Sequence, residues 1–126
     1  MVVTFDFDDT LLRTVSDEDV GIREDGPNGP ILMRLVDHIQ AGDEVHIVTS
    51  RLERLEGTDD WTTVAGFLTT HGLEGLPVHF TDGDPKTETL ARLGSKKHFD
   101  DDQWEIDTLP DGCEGVLVKA DASWSV

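Results

Sequence analysis

Short β-branched or aromatic runs alternate along this chain with segments of helical periodicity, and few folds accommodate that alternation. Val2 to Phe5, Val45 to Val48, Val78 to Phe80, Lys97 to Phe99 and Gly115 to Val118 each read as a short strand. Pro30 sits in the first turn of a helix whose apolar residues Ile31, Leu32, Leu35, Val36 and Ile39 share one face and which stops before Gly42. Trp61, Val64, Ala65 and Leu68 stand at i, i+3, i+4, i+7 in a second helix, which stops at Gly72. A third runs from Asp84-Pro85 to before Gly94, and a fourth covers Gln103 to Leu109. Parallel neighbours need long crossovers, and helices supply them while covering the sheet. The expectation is therefore an α/β domain, a three-layer α/β/α Rossmann-like fold around a parallel sheet of about five strands. Ligands of such sheets sit at the carboxyl ends of the strands, where strand order reverses.

The irregular stretch is 11–29, in which Ser16-Asp17-Glu18-Asp19 and Asp25-Gly26-Pro27-Asn28-Gly29 are turn material around Val20-Gly21-Ile22. It reads as a small flap or hairpin over the site. No linker divides residues 1–126, so one domain is expected, with a loose tail at Ala120 to Val126. The formal charge of -17, from 27 Asp+Glu against 10 Lys+Arg, argues against non-specific coating of nucleic acid. High-salt adaptation, a viral origin and ordinary acidity are all compatible with it. The lone Cys113 forms no internal disulfide, no apolar run is long enough to span a membrane, and Met1 leads straight into the first strand. A cytoplasmic location follows as the expectation, and the oligomeric state is not legible.

Chemistry concentrates in two acidic words, Asp6-Phe7-Asp8-Asp9-Thr10 and Phe99-Asp100-Asp101-Asp102, each directly after a strand. Like charges gathered at strand ends are costly unless a cation or a proton is shared among them, and bound Mg2+ is the simplest relief. Removing one of these carboxylates is then expected to relieve repulsion in the metal-free protein.

Val3-Thr4-Phe5 followed by Asp6-x-Asp8-x-Thr10 resembles the first motif of the haloacid dehalogenase superfamily of phosphohydrolases. His46-Ile47-Val48-Thr49 is similar to its second motif, Lys86 to its third, and Phe99-Asp100-Asp101 to its fourth, in order and over nearly the whole chain. The resemblance implies a Mg2+-dependent phosphomonoester hydrolase of the capless type. Asp6 would be the nucleophile that forms an aspartyl-phosphate, and Asp8 the general acid and base. Thr49 and Lys86 would contact the phosphoryl group, and Asp6, Asp8 (through its backbone carbonyl), Asp100 and Asp101 would hold the metal. Arg51, Thr10 and Ser50 would bind substrate, Arg51 as a cation on the rim. The Val48-Thr49-Ser50-Arg51 word, with Gly57-Thr58 and Trp61 downstream, is similar in layout to the 3′-phosphatase half of polynucleotide kinase-phosphatases, which points to a nucleotide or nucleic-acid terminal phosphate.

Other readings stay open. The substrate could be another small phosphomonoester or a phosphoprotein; a receiver-like phospho-acceptor would use Asp82, and an acidic DNA mimic would use the charge alone. Several neighbours have plainer readings. Asp9 reads as structural, Asp102 with Glu105 as a capping box, His46, His79 and His98 as packing or edge residues, and Trp61, Trp104 and Trp124 as core or partial-core aromatics.

Overall fold

The computed structural model describes residues 1–119 and runs β1 (Val2–Phe5), β2 (Leu12–Asp17), β3 (Gly21–Pro27), α1 (Gly29–Gln40), β4 (Glu44–Thr49), α2 (Val64–Thr70), β5 (Val78–Phe80), α3 (Thr87–Leu93), β6 (Ser95–Asp100), α4 (Gln103–Asp107) and β7 (Glu114–Leu117). Five strands form one sheet in the order β5-β4-β1-β6-β7, and every pair in it is parallel. From β1 the chain steps outward to β4 and β5, then returns to the other side of β1 for β6 and β7. The strand order thus reverses between β1 and β6, the position where a Rossmann-like sheet opens a crevice. The expected tail at Ala120 to Val126 and Trp124 lie outside the described residues. Among the described residues no helix is long and apolar enough to cross a membrane.

Strand β1 lies in the middle of the sheet, and Val3, Thr4 and Phe5 are all fully buried, as covering both faces demands. Phe5 and Phe99 stack at 4.4 Å across the β1–β6 pair, with His38 of α1 edge-on to both. Phe7, just past β1, meets Phe67 of α2 edge-to-face at 5.1 Å. These aromatic contacts tie the end of β1 to α1 and α2.

The hairpin expected in 11–29 is β2 paired antiparallel with β3, a separate two-stranded sheet. A lone hairpin is marginal in water. This one is fastened at its root by the Asn28 N–H donating to the Leu11 carbonyl at 2.7 Å, and along β3 by the Glu24 carboxylate, which accepts the Thr62 N–H at 3.1 Å.

Helix α2 starts later than its apolar spacing predicts. Thr63 caps it, its hydroxyl accepting from Gly66 N–H at 3.0 Å, so Trp61 stands before the helix and is 43% exposed. Trp104 is 53% exposed, and both therefore depart from the core reading. Helix α4 is also shorter than expected and is capped by Asp102, which accepts from Trp104 N–H at 2.9 Å. Glu105 does not complete a capping box there; it is buried and accepts the backbone N–H of Lys86 at 3.1 Å.

Candidate active site

The β1–β6 ladder continues one residue past the strand, with the Asp6 N–H donating to the Phe99 carbonyl at 2.8 Å. That bond sets the first acidic word beside the end of β6. On β6 the period of two puts His98 and Asp100 on one face. The Glu105 carboxylate anchors the loop before α3, and from it the Lys86 side chain reaches both acidic words: Nζ donates to Asp6 Oδ1 at 2.8 Å and to Asp100 Oδ2 at 2.6 Å. All three residues are buried. The shared cation that the sequence calls for is in part the protein's own ammonium.

Each carboxylate is held from a second side. Thr10 donates its hydroxyl to Asp6 Oδ2 at 3.0 Å, and the Asp102 N–H donates to Asp100 Oδ1 at 3.0 Å. His98 Nε2 lies 2.8 Å from Asp100 Oδ2, and its Nδ1 lies 2.7 Å from Thr4 Oγ1. This geometry fits the Nε2–H tautomer, which donates to Asp100 and accepts the Thr4 hydroxyl proton. His98 is thus a positioning residue for Asp100 rather than packing. Its spacing of two from Asp100 on a strand was the available signal.

Electrostatics follow from this wiring. Burial pulls the Lys86 pKa down, but the Asp6 and Asp100 carboxylates more than reverse that and leave it above the usual lysine value. Burial pushes Asp100 up, while the hydrogen bond from His98 and the charge of Lys86 bring it down to about 2. For Asp6 burial is the largest influence and raises its pKa against the pull of Lys86. Asp101 is exposed as a residue, yet its carboxyl faces the crowded pair. Loss of solvent there, with Asp6 next in importance, pushes it up to about 8.

Asp6, Asp100 and Asp101 each offer a carboxylate oxygen, and these oxygens lie within 4.8 Å of one another. An all-oxygen, anionic donor set is the chemistry that suits a hard divalent cation. In the metal-free protein Asp101 keeps a proton between its ordinary 3.8 and about 8 that the unfolded chain has lost. The native state then binds more protons in that window, and stability falls as pH rises through it. Solvent screening limits the effect to about 1 kcal/mol. In excess chelator, Asp101→Asn is expected to flatten the loss of urea stability between pH 5 and pH 8; an unchanged slope would remove Asp101 as its source.

Asp8 is gripped by Arg51, whose Nε donates to Oδ2 at 2.8 Å and Nη2 to Oδ1 at 2.8 Å. Arg51 Nη1 donates to Glu56 Oε2 at 2.9 Å and to the Thr62 carbonyl at 2.8 Å, and its guanidinium lies 4.8 Å from the Phe7 ring centroid. Arg51 is therefore not the free rim cation that the sequence predicts. Its place next to Thr49-Ser50 is as expected, but two carboxylates and a carbonyl take up four of its five N–H donors. Glu56, which no motif marks, completes this arrangement and also accepts the Val64 N–H at 2.9 Å.

A cavity of about 630 Å³ opens over the aspartates, lined among others by Asp6, Asp8, Ser50, Lys86, Asp101 and Trp104. Ser50 is exposed in it. Thr10 is fully buried and spends its hydroxyl on Asp6, so it supports the site instead of touching substrate. Thr49 is 1% exposed and sits behind the lining; its Oγ1 accepts the Arg51 N–H at 3.3 Å and keeps its own proton to donate. Asp9, at φ 58°, reverses the chain after β1 and accepts from the Thr14 N–H and hydroxyl, matching its structural reading. Asp82 follows edge strand β5, accepts the Glu53 N–H at 2.9 Å and does not line the cavity, an unfavourable place for a receiver's acceptor.

The chain matches no family model, and searches of curated proteins and of solved structures return no match.

Proposed function

We propose that this chain is a Mg2+-dependent phosphomonoester hydrolase of the capless haloacid dehalogenase type, acting through an aspartyl-phosphate on Asp6. The observation that carries this reading is the Lys86 bridge between Asp6 and Asp100 at the reversal point of a parallel sheet, under an open cavity. A cation buried at the start of a helix opposes the macrodipole, and a site that needs charge there explains it better than stability does. The three-layer arrangement of that superfamily and a cytoplasmic location belong to the same proposal.

In this reading Asp6 attacks phosphorus in line with the leaving oxygen, its carboxylate aimed by Thr10 and Lys86. Lys86, with the Ser50 hydroxyl, meets the charge that grows on the phosphoryl oxygens, and the Thr49 hydroxyl stands behind them with a proton to donate. Asp6, Asp100, Asp101 and the Asp8 backbone carbonyl would hold Mg2+, which would supply the rest of that neutralisation. Asp8 protonates the leaving oxygen and then takes a proton from the water that hydrolyses the aspartyl-phosphate. Both Asp8 oxygens accept from Arg51, so this step requires the fork to release one of them. Arg51 is a positioning residue for Asp8.

Nucleotides, sugar phosphates and 3′- or 5′-phosphorylated oligonucleotides, assayed with Mg2+ and with excess chelator at low and high salt, test the proposal. Phosphate release that requires Mg2+ is expected. Undiminished release in chelator contradicts the metal, and no release from any ester contradicts the enzyme.

A further inference from the structure

A second cleft, of about 410 Å³, adjoins the first and shares Asp8 and Asp9 with it. Thr14 and Ile22 of the β2–β3 hairpin line it, as do Leu52, Leu55 and Trp61 of the segment between β4 and α2. Ile22, Leu55 and Trp61 are 62%, 43% and 43% exposed, so three of the chain's large exposed apolar side chains meet in one groove beside the residue assigned to the leaving group. An apolar group left in water at such a place costs stability and calls for something to cover it.

The charges of the groove say what that is. Its cation, Arg51, is spent on Asp8 and Glu56, and Asp59 adds a further carboxylate, accepting the Trp61 N–H at 2.9 Å. A second phosphate would find no counter-charge here and several carboxylates. A flat uncharged ring would instead bury Trp61 and Ile22 and stack on the indole.

We propose that this cleft holds the uncharged ring of the leaving group, which makes nucleoside monophosphates, rather than polyphosphates or oligonucleotides, the substrate class. The assignment rests on the phosphatase reading above and narrows it. The groove touches the reacting centre at Asp8, so a ring seated there leaves its phosphoester oxygen toward the proton donor.

Adenosine 5′- and 3′-monophosphate, adenosine 3′,5′-bisphosphate, glycerol 2-phosphate and phosphocholine are compared as substrates, with calorimetric binding of adenosine in chelator as a readout independent of turnover. The ratio of kcat/KM for the better adenosine monophosphate to that for glycerol 2-phosphate is expected to fall about tenfold in Trp61→Ala, mainly through KM, and to be largely kept in Trp61→Phe. The bisphosphate is expected to be the poorer nucleotide, and Trp61→Ala to weaken adenosine binding about tenfold. Ile22→Ser, on the hairpin strand that lines the same groove, reports the same loss if Trp61→Ala fails to fold. Adenosine binding that depends on Trp61 without phosphate release from any ester keeps the ring site and removes the phosphatase. Phosphate release whose substrate ratio neither variant changes, or a preference for phosphocholine or for the bisphosphate, overturns the ring site and leaves the phosphatase standing.

Discussion

Replacing Asp6 by Asn is expected to abolish phosphate release, by at least ~10⁴-fold in kcat/KM, while the protein stays folded. The amide cannot form the acyl-phosphate bond, yet it keeps the size of the carboxylate and an oxygen that can accept from Lys86 or Thr10. Asp100 remains to pair Lys86, so the buried ammonium is not orphaned. Circular dichroism and urea denaturation establish the fold, and turnover of the best ester establishes the loss. A well-folded Asp6→Asn protein with near-normal activity would end the covalent mechanism.

Replacing Lys86 by Met gives the largest expected change in stability. Lys86 Nζ is the cation recorded between two buried carboxylates, and removing one partner of a buried ionic group typically costs about 3–5 kcal/mol because the others are left unpaired. In chelator the urea midpoint of Lys86→Met is therefore expected to fall steeply. Added Mg2+ should restore part of it, since a cation held by the same carboxylates relieves the same repulsion. Activity should stay low even then, because the ammonium is no longer at the phosphoryl group. Wild-type stability of Lys86→Met in chelator would show that the bridge holds no energy, and a loss that Mg2+ cannot touch would detach the metal from Asp6 and Asp100.

The five strands of the main sheet were legible because each carries β-branched or aromatic residues in a short run, and the parallel sheet followed from the helices between them. Helix ends were less so. The apolar spacing of Trp61 with Val64, Ala65 and Leu68 continues across the start of α2, and only the Thr63 hydroxyl, which competes for the first free N–H groups, marks where the helix begins. At the site, Asp6, Asp8, Lys86, Asp100 and Asp101 could be named from their words and order, and they lie around one cavity. Who holds whom could not be. Arg51 had the right address beside Thr49, but its partners Asp8 and Glu56 are set by how the loop after β4 folds over Phe7. The expectation that losing one of these carboxylates relieves repulsion meets a second effect at Asp100: it does push the Asp6 and Asp101 pKa values up, but it is also a partner of Lys86 and His98, and its loss takes one contact from each. Pairings across 80 residues, such as that of Lys86 with Asp6, belong to the tertiary fold and leave no local trace.

The most direct measurement is to find the phosphorylated residue. Protein incubated with Mg2+ and a turned-over ester, quenched in acid, reduced with borohydride and read by tandem mass spectrometry converts an aspartyl-phosphate to homoserine at its own position. The expected result is homoserine at Asp6 in the wild type and its absence in Asp6→Asn. Turnover with no modified aspartate, or with the label on Asp82 or any residue other than Asp6, would contradict the account.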